Sequence, residues 1–179
     1  MNSRWAKFTL AQLILGILCA VAVPAAGQSA FEVSGSGGVE TNCLVMLMPG
    51  CTVVSTGPMT GTPALSGDFI LRLDTGSPTS LNGYPGSATG TSGTNQGVCV
   101  PASFDGVLTQ TGGDTINFNH AGVVCEEATP GSAYLYHGTF RLTGGTGQFA
   151  AATGGGSVVG TFTREGAAAV VYFRGMISY

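Results

Sequence analysis

Residues 138–163 read GTFRLTGGTGQFAAATGGGSVVGTFT, and the fold is decided there. Phe140 and Leu142 alternate with Arg141 and Thr143, the period of two that places apolar side chains on one face of an extended strand. Gly144 and Gly145 permit positive φ, Thr146-Gly147 continues a tight turn, and Phe149 returns a large ring to the core. The small residues 150–156 let the chain pass close beneath neighbouring backbone before Val158, Gly160 and Phe162 resume a strand. Glycines at this density also suggest a loop that cradles phosphate. Such a loop needs a following helix and usually a lysine, and neither is present.

Working outward, strand-like runs recur at 31–39, 43–48, 51–55, 68–74, 103–110, 115–120, 123–127, 133–143, 157–164 and 168–178. Phe69, Leu71 and Leu73 alternate with Ile70 and Arg72, and Ile116 and Phe118 with Asn117 and Asn119. No stretch beyond the N-terminal segment shows a capped helical period, so the crossover helices of a parallel sheet are missing. The sheet is therefore expected to be antiparallel, closed as a barrel or sandwich-like barrel, with sequential strands adjacent. Between 75 and 97 the chain reads TGSPTSLNGYPGSATGTSGTNQG, a run of turn formers expected to be a flexible surface loop near the barrel opening.

The N-terminal segment carries Arg4 and Lys7 ahead of an apolar run at 10–23, followed by Ala25, Ala26 and Gly27. Basic, apolar, then small is the order of a cleavable secretory signal, which places the cut near residue 27, between 25 and 30. The run is short for a membrane span and lacks a basic stop-transfer flank, so no membrane span is expected after cleavage. Leu18 before Cys19 does not fit a lipidated cysteine, which needs a small residue there. Roughly 150 residues remain, one domain with a single core. The expected destination is secreted or periplasmic.

Downstream of the signal the cations are Arg72, Arg141, Arg164 and Arg174, outnumbered by the carboxylates, and the whole chain carries a formal charge of −3. No basic patch exists for a phosphate backbone, which excludes nucleic acid as a partner. Cys43, Cys51, Cys99 and Cys125 form an even set in an exported chain, so disulfides are expected, with three connectivities formally possible. The turn signal Pro49-Gly50 favours Cys43 with Cys51, and the Gly-Gly-Asp turn between two strand-like runs favours Cys99 with Cys125. The spacing is not that of a zinc cluster, and no metal or cofactor is expected.

GGTGQF followed by AAATGGG resembles the turn shared by allene oxide cyclase-type and dirigent-type β-barrels, and is similar to that of exported bacterial proteins of the same barrel type. The ending VVYFRGMISY, with Phe173, Gly175 and Ile177, resembles their closing strand. The segment VCVPASFDGVLTQTGGDTINFNHAGVVC resembles the cysteine-bracketed part of the bacterial proteins. The resemblance covers 98–179 and implies an all-β, antiparallel up-and-down barrel of about eight strands with a mainly apolar interior. Allene oxide cyclases rearrange a lipid epoxide and dirigent proteins steer radical coupling, but no catalytic residue of either matches a position here.

His120 and His137 with Glu126 and Glu127 between them are the residue types of a metal or acid–base cluster, at no ligand spacing. His120 is read as the end of a strand, and the two glutamates as facing opposite sides of one. Tyr134, Tyr136, Tyr172 and Tyr179 read as core or cross-strand packing, and Gly144, Gly145, Gly147 and Phe149 as a structural turn. The functional expectation is a non-enzymatic module that binds a small apolar ligand or builds the envelope; the alternative is a cyclase or isomerase acting on an apolar substrate inside the barrel. If there is a cavity, Tyr136, His137 and Arg141 are the polar side chains expected in it, because they lie on the strand entering the glycine turn.

Overall fold

A computed structural model describes residues 27–43, 48–76, 99–126, 133–163 and 168–179. The expected signal up to residue 26, the loop from 77 onward, the core of the 43–48 run, Glu127 and Arg164 lie outside the described residues. Eight strands follow one another: β1 (Ser29–Thr41), β2 (Thr52–Thr62), β3 (Leu65–Thr75), β4 (Cys99–Gln110), β5 (Thr115–Glu126), β6 (Ala133–Gly145), β7 (Thr153–Thr163) and β8 (Ala169–Ser178). Each pairs antiparallel with the next, and β8 pairs antiparallel with β1, from Ser29 opposite Ile177 to Gly37 opposite Ala169. The ring of these eight strands is closed and up-and-down, so each of them is paired on both sides. The only helical piece among the described residues is a single 3-10 turn, Gly147–Phe149.

Alternation sorts the side chains. Along β3, Leu65, Phe69, Leu71 and Leu73 are buried inside the ring, while Ser66, Asp68, Ile70 and Arg72 face out. Phe31, Val53, Leu108, Ile116, Leu142, Phe162 and Ile177 do the same from the other strands. Each fully buried Val, Leu, Ile or Phe contributes about 1.5–3 kcal/mol relative to exposure, so the inward rows specify which face each strand turns to the core. The outward rows hold Asp68, Arg72, Asp105, Asn117, Asn119 and Arg141, where a lipid-embedded barrel carries its apolar band.

Two strands run further than their sequence suggests. The run at 51–55 extends to Thr62 through Gly57 and Pro58, both turn formers. The β1–β2 pairing passes from Gly35–Met59 to Gly38–Thr56 without the two pairs between, because Pro58 has no N–H to donate. The runs at 115–120 and 123–127 are one strand, β5, so His120 stands mid-strand and does not end one. Ala121-Gly122 is extended backbone opposite Thr139 and Gly138.

The turn after β6 has a different logic at each glycine. Gly144 (φ 112°) and Gly147 (φ 55°) occupy left-handed backbone, which a Cβ disfavours. Gly145 does not share that conformation, correcting the dihedral reading; a Cβ there would overlap the carbonyl oxygen of Thr115 on β5. Thr143 is the extra residue of a bulge in β6, between the pairs Asn117–Gly144 and Phe118–Leu142. Phe149 is buried, its ring 4.8 Å from that of Tyr179. Cys43 is bonded to Cys51, and Cys99 to Cys125, which stand directly opposite each other on β4 and β5. Two disulfides are the mark of an oxidising compartment.

Candidate functional site

Inside the ring, β5 and β6 bring His120 and Tyr136 together. Alternation on each strand points both inward, and the Tyr136 side chain leans back over Gly138 and Gly122, which are paired across the two strands. The absence of side chains at these glycines leaves the phenol room to reach β5. A Cβ on Gly122 would lie 2.7 Å from the Tyr136 hydroxyl, and one on Gly138 would overlap it. The hydroxyl lies 2.6 Å from His120 Nδ1, a short hydrogen bond in a buried setting.

Aromatic rings close around the pair. The His120 imidazole stacks on Phe118 at 5.8 Å and 20°, and meets Phe173 edge-on at 6.3 Å. Phe140 packs 5.4 Å from both Phe31 and Phe173. These rings come from β1, β5, β6 and β8 and pack against one another across the interior. Gly106 on β4 contributes by omission, since a Cβ there would run into the Phe118 ring. His120 is 6% exposed, and burial pulls its imidazole down to about 3. It is neutral at physiological pH, and therefore an acceptor or single donor toward Tyr136.

The sequence expectation places three polar side chains in a cavity, and the structure separates them. Tyr136 faces inward, but His137 and Arg141 are exposed on the outer wall. The reason is the period of two: Tyr136 and Phe140 share the inner face, so residues at odd positions of the same stretch face out. His120, set aside as a strand end, is the histidine that enters the interior. The Phe118-x-His120 spacing was the available signal, since it continues the inward row of β5. Of the other inward polar groups, Ser55 donates to the Gly38 carbonyl at 3.1 Å and Thr75 to the Met48 carbonyl at 2.5 Å. Among the described residues, no three His, Cys, Asp or Glu side chains converge as metal ligands.

The outer wall over β3–β6 carries a polar row. Arg72 is opposite Asp105, Asp105 opposite Asn119, and Asn119 opposite Arg141. Three shallow depressions of about 450, 370 and 440 Å³ meet at Asn119; the first also borders Asp105 and Arg141, the second Asp105 and the third Arg141. No protein-family model and no curated protein sequence matches the chain.

Proposed function

We propose that this chain is an exported, non-enzymatic β-barrel of the allene oxide cyclase/dirigent type that serves as a structural module of the envelope or extracellular matrix. The observation that carries this reading is the aromatic packing of the interior. Phe31, Phe118, Phe140 and Phe173 pack ring against ring there, and the inward His120 and Tyr136 engage each other. Cyclase or isomerase chemistry needs a shaped cavity with reachable polar groups. Here the imidazole most deeply placed is held neutral under packed aromatic rings. The disulfides and the signal-like N-terminus support export.

Native mass spectrometry of the secreted protein tests the reading. The expected species has the mass of the chain from a start between residues 26 and 31, carries both disulfides and holds no small molecule. A co-purified lipid-like compound would overturn the structural role in favour of ligand binding. A mass that includes the N-terminal segment would overturn export by signal cleavage.

A further inference from the structure

Asp105, Asn119 and Arg141 stand side by side on β4, β5 and β6, facing solvent. Adjacent strands lie about 4.8 Å apart, so the carboxylate and the guanidinium are anchored about 10 Å from each other with the amide between them. Neither charge has a hydrogen-bond or ion-pair partner among the described residues, in contrast to Arg72, which pairs with Asp74 at 3.2 Å. In a chain with only 8% charged residues, two opposite charges held apart on a rigid wall are a distinct feature.

We propose that this groove binds an uncharged saccharide chain. A carboxylate accepts from two neighbouring hydroxyls, a guanidinium donates to ring and hydroxyl oxygens, and an amide does both, which is the mixed demand of a vicinal diol. Arg72, opposite Asp105, is neutralised by Asp74, and the charges of Asp105 and Arg141 balance, so the row selects neither an anionic nor a cationic ligand. The three depressions share Asn119, the first and second also share Asp105, and the first and third share Arg141, so all three polar side chains border more than one of them. Ile70, 52% exposed, and Val107 line the second depression beside Asp105 and offer an apolar surface to the C–H face of a pyranose. Backbone pairing on both sides of β4, β5 and β6 fixes where the three side chains are anchored, so the ordering on binding is confined to the side chains. The proposal concerns the outer wall and does not depend on what fills the lumen.

Titration of the protein with cello-, chito-, malto- and mannohexaose by calorimetry tests this. At least one hexasaccharide is expected to bind at millimolar concentration or better, and Asp105→Ala and Arg141→Ala are each expected to weaken it ten-fold or more. Tyr172→Ala, on the opposite wall, is expected to leave binding unchanged. Circular dichroism and melting confirm that the variants fold; Asp105→Asn and Arg141→Gln, which remove the charge and keep a polar side chain, replace any that does not. The proposal is overturned if no hexasaccharide binds or if binding survives loss of both charges. None of these results bears on the lumen, so the proposed structural role stands or falls separately.

Discussion

Burial has its largest electrostatic consequence at His120. In the unfolded chain the imidazole takes up a proton near the ordinary histidine value of about 6.5, whereas the folded barrel holds it neutral down to about 3. Below pH 6.5 the unfolded state therefore binds more protons, and stability falls as pH falls, by about 1.4 kcal/mol per unit until both states are protonated. Above 6.5 the group contributes no slope. Urea unfolding from neutral pH to about pH 4 is expected to trace this decline, and the double variant His120→Phe/Tyr136→Phe to remove its histidine part. If the double variant keeps the same slope, the carboxylates and not His120 set the acid limit. Tyr136→Phe alone is expected to cost about 1–2 kcal/mol, since it deprives a buried imidazole of its hydroxyl partner. Gly145→Val is expected to cost about 1–3 kcal/mol or more, now for a steric reason: the new side chain meets the Thr115 carbonyl. A melting temperature equal to that of the parent would mean that β5 and β6 can move apart there without loss.

At the scale of the strand, the two disulfides differ in what they constrain. Cys43–Cys51 spans 8 residues of sequence and Cys99–Cys125 spans 26. If they act by restricting the unfolded chain, their removal costs about 2.5 and 3.5 kcal/mol respectively. The Cys99→Ala/Cys125→Ala variant is thus expected to melt below Cys43→Ala/Cys51→Ala in parallel thermal scans. The reverse order would place the main effect in the folded state. Strand positions were legible in the sequence wherever alternation ran uninterrupted, as in β3, β6 and β8, and the antiparallel closure followed from the lack of helices. Reading stopped short at β2 and β5, where Gly57-Pro58 and Ala121-Gly122 look like turns in isolation. Their neighbours across the ladder keep them extended, a tertiary effect that local propensity does not contain. The site was less legible for the same reason. Assigning Tyr136, His137 and Arg141 to one cavity followed chain proximity, whereas a strand sends neighbours to opposite faces. Asp105, Asn119 and Arg141 lie far apart in sequence and meet only through register.

For the whole molecule, closure is the feature that turns marginal hairpins into a domain. Each hairpin alone would expose an inner apolar row, and the aromatic rings shared by β1, β5, β6 and β8 are buried only when the ring is complete. Removal of β8 is expected to open two edges and to yield aggregates in size-exclusion chromatography; a soluble monomer would show that the remaining strands can reseal. The pairing of β8 with β1 also brings the first and last strands side by side. Ser29 lies opposite Ile177, at one rim of the barrel and on neighbouring strands about 5 Å apart. The order in which the strands are synthesised is thus a detail the finished ring does not record. A short Gly/Ser linker from residue 178 to residue 29, with new termini cut in the β4–β5 turn at Gly112-Gly113, gives a circular permutant whose ladders are all unchanged. That permutant is expected to fold with the near-ultraviolet dichroism of the parent, and fusion partners at its new ends would project from the Gly112-Gly113 turn instead of the Ser29–Ile177 seam.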